Sequence, residues 1–140
     1  MRLPLALALT SVALAACARQ SGAPPTGVTQ QVTIQVSCDT NLVTFTVQPW
    51  VRHLNPGDSI AWTLAATSNT QDVTIDRVNN RWPFNDLPPV HSKPNAPGRA
   101  GRMKPNLPHN DTYHYTVEAD CQNGTGPKIH GKIDPDMIVD

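Results

Sequence analysis

The chain contains the run KIHGKIDPDMIVD, in which two carboxylates, Asp134 and Asp136, flank Pro135. An Asp–Pro bond is unusually labile, because the aspartate carboxyl can attack its own carbonyl carbon while the tertiary amide nitrogen of proline is readily protonated as it leaves. Such a cleavage needs a proton donor close to the leaving nitrogen. If residues 133–139 are extended, Asp134 and Asp136 project from one face, and neighbouring carboxyls tend to share a proton. A turn over CQNGTGP centred near Gly124 folds this run back onto DTYHYTVEADC and brings His114 opposite Asp134, within a residue or two. This pattern points to self-cleavage between Asp134 and Pro135, with Asp134, Asp136 and His114 as the catalytic groups. The plainer account is that Pro135 marks an edge strand or bulge and the polar side chains face water.

The histidines offer little further chemistry. His53, His91 and His109 fall in turns or in a long connecting segment, and no H-x-H, H-E-x-x-H or C-x-x-C spacing occurs. His114 and His130 share the outer face of adjacent strands, where two ligands make at most a weak surface metal site. Solvated surface histidines explain them more simply. No serine-nucleophile signature or phosphate-cradling glycine loop is present, and neither metal nor cofactor is expected.

These residues need elements to hold them, and the elements read as short strands. Period-two alternation in VTQQVTIQVSC places Val32, Ile34, Val36 and Cys38 on one face, the signature of a half-buried strand. LVTFTVQP turns Val43, Phe45 and Val47 inward before Pro49 stops it, and NPGDSIAWTL is a Pro-Gly turn running into a strand with Ile60, Trp62 and Leu64 inside. DVTIDRV supplies Val73 and Ile75, DTYHYTVEADC groups Tyr113, Tyr115, Val117, Ala119 and Cys121, and the final run aligns Ile129, Ile133, Met137 and Val139. No apolar stripe of helical period and length occurs after residue 16. The expectation is an all-β fold, a single Greek-key β-sandwich over residues 28–140.

One segment resists this pattern. Residues 79–110 hold seven of the fourteen prolines and no sustained alternation. A connection well beyond about 15 residues is functional or disordered. Lys93, Arg99, Arg102 and Lys104 concentrate positive charge there, and Arg81, Trp82 and Phe84 add a cationic and aromatic surface. Two readings stand: Trp82 and Phe84 cap one end of the sandwich above a solvated basic loop, or the whole is an interaction loop for a protein or small anionic partner.

The first residues carry an address. MRLPLALALTSVALAAC has a basic Arg2 and an uncharged apolar run from Leu3 to Ala16, too short for a spanning helix and typical of a secretory signal over residues 1–16. Leu14-Ala15-Ala16-Cys17 resembles the lipobox of bacterial lipoproteins. The resemblance implies that Cys17 carries palmitate-type acyl chains, that more than one chain anchors the protein stably, and that Ala18 directs it to the outer membrane. Residues 17–27 are small and polar, a flexible tether. Of the 11 basic residues only Arg2 is lost with the signal, leaving ten against 11 acidic ones. That balance gives no field to attract nucleic acid. With Cys17 lipidated, Cys38 and Cys121 remain as an even pair in an oxidising compartment, both on inward faces, where a disulfide is the default and free thiols the alternative.

The order NPGDSIAW, QDVTI, TYHYTV, GKI resembles the cupredoxin fold family. Its copper ligands are missing: Gln71 stands for the first histidine, Val117 for the cysteine after the tyrosines and Ile129 for the methionine, whereas a blue-copper site needs two histidines and a thiolate. The resemblance implies a cupredoxin-like or immunoglobulin-like sandwich without copper. The ending Tyr113-x-Tyr115-x-Val117, a polar turn, then Ile133-Asp134-Pro135 and Ile138-Val139 is similar to the DP-EP family of small bacterial β-sandwich proteins, named for Asp-Pro endopeptidase activity. The sequence thus reads as a lipid-anchored envelope lipoprotein whose sandwich is a binding or structural module. The alternative is a self-cleaving aspartic peptidase.

Overall fold

The computed structural model describes residues 26–122 and 124–140, so the expected signal segment, Cys17 and most of the expected tether lie outside the described residues. Ten strands follow in order: β1 (Thr29–Cys38), β2 (Val43–Gln48), β3 (Val51–Leu54), β4 (Ser59–Leu64), β5 (Val73–Arg77), β6 (Val90–Ser92), β7 (Gly98–Ala100), β8 (Asp111–Cys121), β9 (Ile129–Ile133) and β10 (Asp136–Val139). They form two mixed sheets packed as a sandwich. One has the order β2-β1-β4-β7, and the other runs β3-β10-β8-β5-β6 with β9 also on β8.

Alternation builds the core. In β1 every second side chain from Val32 to Cys38 is buried while Thr33, Gln35 and Ser37 face water. The same rule buries Ile60, Trp62 and Leu64 of β4 and Tyr113, Tyr115, Val117, Ala119 and Cys121 of β8. In β2 Val47 is buried, and Val43 and Phe45 are half-buried against β9, where a side chain on Gly131 would collide with both. The final run divides at Pro135, which cannot donate to a ladder. β9 and β10 nevertheless keep one register on β8: Val117 faces Ile133 and His114 faces Asp136, with the same offset on both sides of the proline.

The segment 79–110 is an ordered crossover between the sheets rather than a loop. Asn79 and Asn80 both have positive φ, 54° and 58°, and Arg81 N donates to the Val78 carbonyl at 3.1 Å. Two successive left-handed residues make a type I′ turn, which asparagine tolerates well. The reversed chain then drives Trp82 and Phe84 into the core, 3% and 0% exposed. Beyond them β6 pairs with β5 in one sheet and β7 with β4 in the other. Three-residue strands are too short to show alternation, and only long-range pairing reveals them. Short β3, between Pro49 and Pro56, escaped for the same reason and pairs in parallel with β10.

Trp62 stands at the centre of the core. Its ring stacks on Trp82 with centroids 5.9 Å apart, meets Phe84 edge-on at 6.4 Å and tilts against Tyr115 at 5.7 Å. Trp82 Nε1 donates to the Asp86 carbonyl at 2.7 Å. Trp62 Nε1 and Tyr115 Oη, by contrast, have no hydrogen-bond partner among the described residues. Burial first of all pushes the Tyr115 phenol up to about 12; the nearby indole N–H opposes this slightly without reaching hydrogen-bond geometry. Because the folded state holds this proton more tightly than the unfolded one, the contribution is intact below the ordinary tyrosine pKa near 10 and is lost as pH rises through the folded value. Tyr113, also raised by burial, acts in the same direction. Stability should therefore fall by about 2–3 kcal/mol across that alkaline window. Tyr115→Phe should flatten the slope and leave neutral-pH stability unchanged or higher by about 1 kcal/mol, since an unpaired buried hydroxyl is removed. Urea titrations at neutral and alkaline pH measure both; an unaltered alkaline slope in the variant would contradict the assignment.

The two ends of the sandwich are closed differently. At one end Cys38 of the first sheet and Cys121 of the second have their sulfurs at bonding distance, with Cα atoms 5.6 Å apart, within the usual disulfide range. At the other, Asn55-Pro56-Gly57-Asp58 forms a type II turn with Gly57 at φ 88° and Asp58 N donating to the Asn55 carbonyl. The Asp58 carboxylate is buried. It accepts hydrogen bonds from Val28 N at 2.9 Å, Gln30 Nε2 at 2.8 Å and Asn55 N at 3.0 Å. The chain thus joins the fold at Val28, and Gly27 lies so close to Gly57 that no side chain fits between them.

Candidate functional site

The outer face of the larger sheet gathers the titratable side chains. Alternation that buries Tyr113, Tyr115 and Val117 turns His114, Glu118 and Asp120 outward, and β9 contributes His130 and Lys132 beside them. Register then makes the pairs: Asp120 faces His130, Glu118 faces Lys132, Thr74 faces His91. His130 Nδ1 lies 2.9 Å from Asp120 Oδ1, Lys132 Nζ donates to Glu118 at 3.0 Å, and His91 Nδ1 lies 3.2 Å from an Asp72 oxygen. The hydrogen bond to Glu118 holds the Lys132 ammonium above its ordinary pKa. His53 and Asp140 make a further pair at 2.8 Å.

At the disulfide end this face opens into a cleft of about 410 Å³ between the Asn69–Asp72 connection, β5, β8 and the start of β9. Asp72, Glu118 and Asp120 line it with the amides of Asn69 and Gln71, and Lys128 and His130 close one side. Three carboxylates against the ammonium of Lys128 and that of Lys132, 3.0 Å from Glu118, leave one negative charge in excess, so the cleft is acidic. Sequence reading did not find this site. The alternation that separates Glu118 and Asp120 from the tyrosines was visible, as was the strand beginning beside Asp72, but not the pairing of β5 with β8 that sets them together.

The three residues expected at the Asp–Pro bond are partly brought together. His114 Nδ1 lies 2.5 Å from Asp136 Oδ1. The expected pairing of His114 with Asp134 is shifted by two residues, because the β8–β9 register places Thr116 across from Asp134. The Asp134 side chain is exposed and makes no hydrogen bond among the described residues. Pro135 is buried, its carbonyl accepts from Tyr115 N at 3.1 Å, and Asp136 N donates to the Trp50 carbonyl at 3.1 Å. The bond therefore lies within a hydrogen-bonded ladder, with the His114–Asp136 pair just beyond it.

His114 and His130 do share the outer face, but His130 pairs with Asp120, six positions along β8 from His114. At about 3.3 Å per residue that is roughly 20 Å, too far for a shared ion. Gln71 lies at the cleft, Val117 in the core and Ile129 half-buried on β9. Among the described residues no group of three histidine, cysteine or acidic side chains is placed to hold a metal ion.

The residues of the expected binding loop separate. Trp82 and Phe84 are core residues and offer no surface to a partner. Arg81 pairs with Asp111 and lies 4.8 Å over the Tyr113 ring, an arrangement that raises the guanidinium pKa and lowers that of the Asp111 carboxyl, through their hydrogen bond first. Lys104 Nζ donates to the Trp82 carbonyl at 2.8 Å. Lys93, Arg99 and Arg102 are exposed and make no ion pair among the described residues, but they are strung along the crossover rather than gathered at one point. No protein-family model and no curated protein matches the chain.

Proposed function

We propose that the protein is a lipid-anchored envelope lipoprotein, held in the outer membrane by acyl chains on Cys17, whose β-sandwich is a binding module. The single observation that carries the binding role is the acidic cleft at the disulfide end, opposite the end where the chain joins at Val28. Its lining suits a small organic cation or a basic side chain of a partner protein. Lys93, Arg99 and Arg102 supply the exposed cations that an anionic partner would meet. The near-neutral balance of charge supports no nucleic-acid role.

The test has two arms. Spermidine added to the purified protein should shift the backbone amide resonances of Thr74, Glu118, Asp120 and His130. Glu118→Gln with Asp120→Asn should weaken that binding by about tenfold, equivalent to roughly 1.4 kcal/mol. Absence of any shift at millimolar spermidine removes the cation site. Separately, Cys17→Ser should move the protein from the membrane to the soluble fraction; a variant that still sediments with membranes argues against the anchor.

A second reading, self-cleavage at Asp134–Pro135, is favoured by the close His114–Asp136 pair beside the bond. Cleavage would separate residues 135–140, yet Met137 and Val139 are core side chains and β10 lies between β3 and β8. The released strand would stay in place, visible by mass spectrometry only after denaturation. Folded protein should be cut faster in mild acid than at neutrality, Asp134→Asn should block the cut, and Asp136→Asn should slow it. Equal rates in folded and unfolded chains would show that the fold contributes nothing.

A further inference from the structure

Among the described residues five strands have an unpaired side, β2, β3, β6, β7 and β9. Such edges present free backbone donors and acceptors, and proteins blunt them with short length, proline or charge. β6 and β7 have three residues each, and prolines flank β6. β3 has four residues and carries Arg52 and His53; β9 carries His130 and Lys132. β2 is guarded only by Pro49, which follows its last residue. Its six residues, VTFTVQ, include neither charge nor proline, and none of its backbone groups enters a turn or loop hydrogen bond among the described residues. At its two ends stand two of the largest exposed apolar side chains, Leu42 at 61% and Trp50 at 47% exposure.

What covers this edge is indicated by the symmetry of its own sequence. In an antiparallel pair, residues directly opposite share a face. Centred on Thr46, the stretch Leu42 to Trp50 matches itself in reverse: Phe45 against the partner's Val47 on the inner face, Thr44 against the partner's Gln48 on the outer face, and Leu42 against the partner's Trp50. Every opposition is apolar with apolar or polar with polar, and no like charges meet on the two-fold axis. Centring one residue earlier, on Phe45, also preserves the faces but sets Leu42 against Gln48 and leaves Trp50 without an apolar partner. We propose that β2 pairs with β2 of a second copy of this chain, antiparallel and centred on Thr46, joining the two four-stranded sheets into one of eight strands. The partnership is isologous, as closed two-fold dimers require.

A single added strand is a small interface, so the association is weak and best trapped covalently. In a Cys17→Ser background with the Cys38–Cys121 disulfide formed, Thr46→Cys places two thiols on the axis. Their Cα atoms would lie about 4.5–5.5 Å apart, within reach of a disulfide. Mild oxidation should yield a covalent dimer. Thr44→Cys alone should not crosslink, because in this register two copies of residue 44 lie roughly 14 Å apart. Mixed Thr44→Cys and Gln48→Cys proteins should. Without oxidant, the parent should show concentration-dependent dimerisation by analytical ultracentrifugation, and Thr46→Lys should be monomeric at the same concentrations with an unchanged circular dichroism spectrum. A Thr46→Cys protein that stays monomeric, or single variants that all crosslink alike, would overturn the proposal.

Discussion

Trp62→Ala should destabilise the domain by about 3–5 kcal/mol, at the upper end of large-to-small core substitutions. The indole is fully buried and touches aromatic rings from three directions: Trp82 and Phe84 from the crossover and Tyr115 from the opposite sheet. Removing it leaves a cavity that none of these anchored side chains can fill by a change of rotamer alone. The expected loss of melting temperature is roughly 10 °C or more. The loss should also be local in character. Without Trp62, Trp82 loses its stacking partner, so amide exchange should accelerate in β6 and β7 more than in β1. Trp62→Phe should cost less, because it keeps an aromatic body and discards an indole N–H that has no partner. An alanine variant that loses less than about 1 kcal/mol would show that the cluster is not the keystone its geometry suggests.

Replacing both Cys38 and Cys121 with alanine should cost about 2–5 kcal/mol. The two lie 83 residues apart in sequence, so the crosslink closes most of the folded chain into a loop. Its removal enlarges the unfolded ensemble far more than it alters native contacts. Alanine is the appropriate substitute, since serine would bury two unpaired hydroxyls and confuse the measurement. Urea unfolding of the parent, with and without a reductant, should reproduce the mutant midpoint. A consequence for the cleft should accompany this: Cys121 is part of its lining, and without the crosslink the end of β8 keeps side-chain packing and the hydrogen bond that Thr70 Oγ1 donates to the Asp120 carbonyl at 3.4 Å. Exchange should quicken at Ala119 to Cys121. A stability loss well under 2 kcal/mol would mean that the unfolded chain is already compact at this point.

Much of this architecture was legible because a half-buried strand writes its orientation into the chain. Alternation located β1, β2, β4, β5 and β8, and it placed Cys38 and Cys121 on inward faces without reference to each other. It failed where the signal is non-local. β6 and β7 have three residues each, so their strand character comes from the partners they meet. Trp82 reads either as a cap on one end of the sandwich or as loop surface, because nothing nearby in sequence reveals that Asn79 and Asn80 turn the chain back under Trp62. The chemistry was harder to read for a related reason. Tyr-x-Tyr-x-Val indicated which way His114 points, but its partner depends on register across a turn, and an error of two residues moved it from Asp136 to Asp134. The cleft carboxylates sit on β8 and just ahead of β5, strands that alternation located, but the pairing that sets those two strands side by side is not written in either segment.

A load applied to the chain ahead of Thr26 would meet the fold at Val28 and run down the axis of β1. That strand is bonded on both sides, to β4 over Thr29–Ile34 and to β2 over Thr33–Cys38. Tension along it must therefore shear two ladders together instead of opening bonds one after another. The Asp58 carboxylate holds the loaded end against the turn at Gly57, and the far end passes its force through Cys38 into β8. Because forced unfolding is governed by the unfolding rate rather than by equilibrium stability, a pull from the N-terminal side meets two ladders that must yield together.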